Sequence, residues 1–344
     1  MRQPKKVRKG EKIAVVSPSF AAPGMFPAVH EQAMARLAAV TGLIPVEYPT
    51  TREVGASPQD RARDLSEAFR DPEIRAVIAA IGGTDQVTVI GHLDAAVIAD
   101  DPKPFLGYSD NTHLLNWLWT CGVAGFYGGS TQVHLGPGPG IDSCHEQSLR
   151  AALLDGGRLE LVEPGESEDF GVDWADDRAL TEFGRRQPTG PWEWNGPARA
   201  VTGRTWGGCV DTFPALFIAG RQPDDFAAFD DGVLLLETAE NLMNAEQFGD
   251  ILRALGERGV LERASAVVIA RPPATSLSAA SELEPTAHRA AQRDKAFEII
   301  ERYNSGAVTV FGPPFGHTRP QWIVPYGGLM TLDGNERRVF ADFG

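Results

Sequence analysis

Lys103-Pro-Phe-Leu-Gly-Tyr-Ser109-Asp110-Asn111-Thr112-His113 reads as a short strand, a tight turn and the start of a helix. The apolar run 104–108 predicts a buried strand, and Asp110, Asn111 and Thr112 are all residue types that cap helix starts, so a helix over about 112–121 follows. A serine in such a turn is lifted off the sheet edge with its hydroxyl exposed. The backbone N–H of Asp110, at the positive end of the helix, faces the same space. An acyl-transfer nucleophile needs this geometry, but an ordinary helix cap has it too.

Outward from this unit the same rhythm repeats. Buried strands are predicted over 12–17, 43–48 and 75–81, and a shorter one over 124–127. Between them, helical apolar spacing runs over 28–40, stopping at Gly42, and from Ser57-Pro58 to about 69. Strands alternating with helices at this spacing predict βαβ units and a parallel sheet, whose strands are continuously apolar. The pattern breaks over 164–197, rich in acid, Gly, Pro and Trp (Trp174, Trp192, Trp194), a linker or a functional loop. Regular structure resumes with 198–203, a Gly207-Gly208 turn and a helix over 210–219. Strands over 232–237, 266–270 and 307–311 and helices over 245–255 and 287–303 follow, and a terminal hairpin turns at Gly334-Asn335. The fold class expected is α/β: an N-terminal parallel-sheet, flavodoxin- or Rossmann-like domain (1–163), a linker or substrate loop (164–197) and a smaller C-terminal α/β domain (198–344).

Composition narrows the function classes. With 344 residues, either half is large enough to bury a core. The net charge of −14 argues against a nucleic-acid or anionic-membrane surface. Three cysteines, Cys121, Cys144 and Cys209, with no C-x-x-C spacing, suggest neither a disulfide framework nor a cysteine zinc site. The basic stretch 1–12 runs into a strand with no apolar signal core behind it, and no apolar run approaches a membrane span, so the expectation is a cytoplasmic enzyme.

Candidate chemistry sits just past strand ends, where open α/β sheets place their sites. Gly82-Gly83-Thr84-Asp85 lacks phosphate-loop spacing and its lysine; read alone it is a strand-ending turn in which Gly83 could aim an N–H into a neighbouring site. Gly136-Pro-Gly-Pro-Gly140 is read as structural, since proline removes donors. Glu237 ends a buried strand, so its carboxylate needs a partner, either a basic residue in a salt bridge or a histidine that it orients. His317 lies in Phe311-Gly-Pro-Pro-Phe-Gly-His317-Thr-Arg-Pro320, a loop stiff enough to present an imidazole in a defined place. His92, His113 and His134 follow helical or strand patterns, while His30, His145 and His288 read as surface positions. No H-E-x-x-H or similar ligand spacing is present, so neither catalytic metal nor cofactor is expected.

Ile81-Gly-Gly-Thr, Leu106-Gly-Tyr-Ser-Asp-Asn-Thr, Trp206-Gly-Gly-Cys, Leu235-Leu-Glu-Thr and Phe315-Gly-His-Thr, in this order, resemble the LD-carboxypeptidase family of serine peptidases, which includes the microcin C self-immunity proteins. The resemblance implies an N-terminal parallel-sheet domain carrying Ser109 as nucleophile and a smaller C-terminal domain carrying Glu237 and His317. His317 would be general base and then acid, Glu237 its orienting partner, and the N–H groups of Gly83 and Asp110 the oxyanion hole. One branch of the family removes terminal D-alanine from murein tetrapeptides. The other cleaves the bond joining an aminoacyl or peptidyl group to a modified nucleotide, a detoxification reaction. Chain length and the long insertion over 169–194 resemble the second branch, in which a loop tryptophan stacks on the base; Trp174 is mapped to that role, Trp192 second. Packing of the loop is the competing use of these tryptophans. The family often has Asn at the position of Cys209, which leaves a substrate contact there open. A homodimer is implied by the resemblance. A non-catalytic small-molecule-binding protein on an α/β scaffold is the rival class.

Overall fold

The computed structural model describes residues 1–99 and 101–344. Its strands are, toward the N-terminus, β1 (Lys12–Val16), β2 (Ile44–Glu47), β3 (Ile74–Ala79), β4 (Phe105–Gly107) and β5 (Gly125–Tyr127). The middle holds β6 (Arg158–Leu161), β7 (Glu166–Ser167), β8 (Gln187–Pro188), β9 (Glu193–Asn195) and β10 (Ala200–Cys209). The last third holds β11 (Gly232–Glu237), β12 (Ala264–Ile269), β13 (Val308–Phe311), β14 (Val324–Tyr326), β15 (Leu329–Asp333) and β16 (Arg338–Asp342). Among the described residues these form a six-stranded sheet, β14-β5-β4-β3-β1-β2, an eight-stranded sheet, β6-β16-β15-β10-β11-β12-β13-β9, and the ribbon β7-β8.

The parallel cores are where continuous apolar runs put them. β3 and β11 are buried almost throughout, as strands covered on both faces must be. Helix starts follow their caps: Ser57 accepts the Asp60 N–H ahead of the helix Pro58–Arg70, and Asn244 accepts the Gln247 N–H ahead of Ala245–Glu257. No helix among the described residues is long and apolar enough to cross a membrane.

Two features depart from the sequence reading. The sheets exchange edge strands: β14, from within 198–344, pairs antiparallel with β5, and β6, from within 1–163, pairs antiparallel with β16. Each covers an edge that would otherwise expose unpaired backbone groups, so no single cut in the chain separates the two sheets. Gly207 and Gly208 are not a turn but the end of β10, both at positive φ. A Cβ on Gly207 would lie 2.0 Å from the Leu235 carbonyl oxygen, and one on Gly208 2.8 Å from Thr112 Oγ1. Glycine is there because β10 is pressed against β11 on one side and the Ser109 helix on the other. The sheets are tied at this seam: Trp206 Nε1–H donates to Asn116 Oδ1 at 3.1 Å, and the Cys209 N–H to Thr112 Oγ1 at 3.1 Å.

The stretch 164–197 is anchored rather than free. Asp169 accepts two bonds from Arg289 Nη2 and further ones from the Ala274 and Thr275 N–H groups, and Glu168 bridges the Arg319 backbone. Its end becomes β9, on the edge of the second sheet beside β13.

Candidate functional site

Ser109 follows β4 and stands in the left-handed region, with φ of 62°. For a residue with a Cβ that is a strained conformation, costing about 1–3 kcal/mol unless the surroundings impose it. They do. Its N–H donates to the Tyr127 hydroxyl at 3.2 Å, its carbonyl accepts from Thr112 Oγ1–H at 2.7 Å, and the next side chains are locked below it. Asp110 Oδ2 accepts from the Ser19 hydroxyl and from the Gln86 N–H at 2.9 Å. Asn111 Nδ2 donates to the Ile81 and Tyr108 carbonyls. The Asp110 and Asn111 side chains are thus buried supports, and what the turn leaves toward the open side is the Ser109 hydroxyl.

Across from it, His317 Nε2 lies 3.0 Å from Ser109 Oγ, and His317 Nδ1 lies 2.6 Å from Glu237 Oε2. Three residues from three separate parts of the chain thus stand in line. Glu237 ends β11 and is buried; its other oxygen, Oε1, accepts from the Tyr127 hydroxyl at 2.5 Å. The same tyrosine oxygen takes the Ser109 N–H, so Tyr127 couples the two ends of the line. The loop carrying His317 is braced by Gln321, whose Nε2 donates to the Gly316 carbonyl and whose Oε1 accepts from the Gly129 N–H. Gly316 itself is required: a Cβ there would meet Glu237 Oε2 at 2.6 Å. The imidazole feels two opposed influences. Burial pulls its pKa down, but the charge and hydrogen bond of Glu237, with Glu240 and Asp211 beyond, outweigh that and raise it to about 9. It is therefore imidazolium at neutral pH in the resting site.

Gly82-Gly83 runs along the other side of the serine. A Cβ on Gly82 would sit 2.8 Å from Ser109 Cβ and 3.2 Å from the Asp110 nitrogen. One on Gly83, whose φ is 157°, would strike Ser19 Oγ at 2.1 Å, so only glycine lets this backbone come so close.

Ser109, His317, Gly82 and Gly83 open into a cavity of about 790 Å³. Phe20, Val54, Phe170, Val172, Trp174 and Leu277 give it apolar walls. Trp174 also packs edge-on against Phe26 at 5.5 Å, so it both packs the loop and faces the cavity. The structure does not bring Trp192 or Cys209 to that wall. Trp192 is half-buried against Gly312, because β9 pairs with β13 and carries its flanking tryptophan into the core. Cys209 is buried at the end of β10, its Sγ 3.7 Å from Asp211 Oδ2; burial first, then Glu237 and Asp211, push its thiol pKa far up, so it is an inert thiol beneath the site. Cys209, Glu237 and His317 also have potential ligand atoms within 4.8 Å of one another, yet both imidazole nitrogens are already engaged by Glu237 and Ser109.

The three histidines expected at the surface are buried. His30 lies 3.3 Å from Glu47, His145 stacks on His134 at 4.6 Å and bonds the Gln321 carbonyl, and His288 contacts Ser281 Oγ at 2.8 Å. Gly136 to Gly140 is structural as expected, its carbonyls accepting from Arg36 and Arg319. Sequence reasoning missed Tyr127, whose only signal is its place at a strand end before Gly128-Gly129. It also missed Glu240, in the acidic turn after Glu237, whose Oε2 lies 3.2 Å from His317 Nε2.

Comparison with known families places the chain as a whole. Residues 13–128 match the LD-carboxypeptidase N-terminal domain and residues 202–332 the LD-carboxypeptidase C-terminal domain. The chain belongs to the LD-carboxypeptidase family. A Vibrio cholerae protein carrying a provisional carboxypeptidase name is 26% identical over 332 residues, covering 94% of this chain and 92% of its own. The Escherichia coli microcin C7 self-immunity protein MccF is 20% identical over 286 residues, 82% of this chain and 77% of its own. A structure of MccF in complex with aspartyl sulfamoyl adenosine superposes with a TM-score of 0.84 at 19% identity, over 98% of both chains, so the two-domain architecture is the same.

Proposed function

We propose that this protein is a serine hydrolase of the carboxypeptidase type that cleaves the acyl–nitrogen (amide) bond joining the aminoacyl or peptidyl group to the nucleotide, including a nucleotide phosphoramidate. The observation that carries the proposal is the line Ser109–His317–Glu237, at 3.0 and 2.6 Å, opening into an aromatic-walled cavity.

Glu237 accepts the Nδ1–H of His317 and thereby keeps the proton off Nε2 in the neutral ring. Ser109 Oγ adds to the substrate carbonyl carbon as its proton passes to His317 Nε2. The negative charge that develops on the carbonyl oxygen is met by the N–H groups of Gly83 and Asp110, each worth roughly 3 kcal/mol of barrier. Collapse breaks the bond to the leaving nitrogen, which takes the proton from His317 and leaves an acyl-Ser109. Water, deprotonated by the same imidazole, then releases the acid and restores the hydroxyl. The nucleotide preference rests on Trp174, which faces the cavity and can stack a base. MccF, of the same family, binds aspartyl sulfamoyl adenosine.

A mass-spectrometric assay of wild type and Ser109→Ala, offered an aminoacyl-adenylate phosphoramidate and a murein L,D-tetrapeptide, tests this reading. The expected result is turnover of the nucleotide, lost in the variant. Turnover of the tetrapeptide alone would make the chain a murein LD-carboxypeptidase with the same relay. Turnover surviving in Ser109→Ala would remove the serine mechanism.

A further inference from the structure

The charges lining the cavity are unevenly balanced. Arg61 is the one Lys or Arg side chain among the described lining residues, and both its Nη atoms are held by Asp85, at 2.8 and 2.7 Å. Asp169 is likewise paired with Arg289. Glu240 is different. Its side chain is 63% exposed in the cavity mouth, and its one salt-bridge partner among the described residues is the imidazole of His317. The turn that holds it is fixed on both sides by Asp211, which accepts the Ala239 N–H at 2.9 Å and an Asn241 Nδ2–H at 3.4 Å, while Leu242 closes the turn at a φ of 56°. A carboxylate without a permanent cation is thus held at a defined place beside the nucleophile.

Distance says which part of a substrate would meet it. Glu240 Oε2 lies 3.2 Å from the same nitrogen that Ser109 Oγ approaches at 3.0 Å. An attacked carbonyl carbon sits about 3 Å from the serine oxygen. The α-nitrogen of an aminoacyl group is only two bonds from that carbon, so it falls within reach of Glu240, and a remote substituent does not. A carboxylate there would be repelled, and an acylated nitrogen would leave the charge of Glu240 unmatched.

Building on the hydrolase reading above, we propose that Glu240 is the receptor for the free α-ammonium of an aminoacyl substrate, and that taking this ammonium withdraws Glu240 from His317 Nε2 and leaves that nitrogen to Ser109. The preferred substrates are aminoacyl conjugates with an unmodified amino group. Peptidyl conjugates and murein tetrapeptides, whose scissile residue is acylated at its α-nitrogen, are disfavoured.

The test is protection of Ser109 from a fluorophosphonate probe in the full-length protein, using alanyl sulfamoyl adenosine and its N-acetyl twin. The free amine is expected to protect at about 100-fold lower concentration, as befits a charged hydrogen bond made by one ligand and not the other. In Glu240→Gln that gap closes to within a few-fold. The labelling rate of Glu240→Gln against pH also shifts to lower pH, because one of the three carboxylates facing the imidazole (Glu237, Glu240 and Asp211) is gone. Equal protection by the two ligands in wild type, protection by neither, or a gap that persists in Glu240→Gln overturns the assignment. A wild-type Ser109 that the probe does not label overturns the hydrolase reading itself, and the assignment falls with it.

Discussion

On the cavity floor Ser109 is bonded at its N–H, its carbonyl and its hydroxyl, whereas at the rim Phe20, Val54, Phe170 and Leu277 are between 37% and 62% exposed. The floor holds a closed ring of hydrogen bonds, Ser109–Tyr127–Glu237–His317, and beside it Asp110, which accepts from Ser19 and the Gln86 N–H. The rim turns apolar side chains to solvent, Phe170 among them on a stretch that Asp169 anchors. A preorganised floor suits groups whose positions decide a barrier, because reorganisation at the moment of reaction would cost rate. An apolar, solvent-facing rim suits groups that only bind, and so can vary with the substrate.

If the two regions divide labour in this way, substitutions on the floor lower kcat and those on the rim raise KM. The largest effect is expected for Ser109→Ala, a loss of about 10⁴-fold or more in kcat/KM with little change in melting temperature, since the change also removes only a hydroxyl. A variant that kept a tenth of the activity would break the comparison at its centre. Next is Glu237→Gln, about 10³- to 10⁴-fold down in kcat. The amide can donate where the carboxylate accepts, so the ring settles in the wrong tautomer; steady-state kinetics on folded protein, judged by circular dichroism, reads this. Below that comes Gly82→Ala, expected to cost about 10²-fold, because its methyl meets Ser109 Cβ at 2.8 Å and must push the nucleophile aside. A fully active Gly82→Ala would show that the floor is softer than its contacts suggest.

The pH profile gives a per-unit effect. His317 must be neutral to take the serine proton, and in the free enzyme its pKa is raised to about 9. The neutral fraction therefore grows with pH, so kcat/KM for a substrate acylated at its α-nitrogen, which brings no titrating amine of its own, should climb about tenfold per unit up to about pH 9 and level off above it. A profile flat from pH 6 to 9 would mean that the base is some other group. The smallest effect is expected at the rim: Trp174→Ala should raise KM for nucleotide substrates about tenfold and leave kcat within a factor of two. A kcat loss as large as that of Gly82→Ala would place Trp174 on the floor.

Much of the architecture is legible in order along the chain because its causes are local. The continuous apolar run of β3, the caps at Ser57 and Asn244, and the polar triplet after Ser109 act on neighbours in sequence, so alternation of strands and helices follows from them. The same locality explains the failures. Gly207-Gly208 carries a turn's composition, and only the approach of Leu235 and Thr112 reveals that the glycines make room for neighbours across a strand. His145 and His288 sit among polar residues in sequence, and nothing near them in the chain announces the Gln321 carbonyl or the Ser281 hydroxyl that they meet.

The site divides along the same line. Local pattern alone puts a serine in a strand–turn–helix corner, a carboxylate that needs a partner at the end of a buried strand, and one histidine in a stiff Gly-Pro loop. Tertiary structure decided that these three stand in line, which of the tryptophans faces the cavity, and that Cys209 lies beneath the site instead of lining it. It also decided that Tyr127 would join the serine and the glutamate, and that Glu240 would stand beside the imidazole with no Lys or Arg partner among the described residues. Backbone propensity and capping act over a few residues, whereas a hydrogen bond between Ser109 and His317, 208 positions apart, exists only after two sheets have packed and traded edge strands.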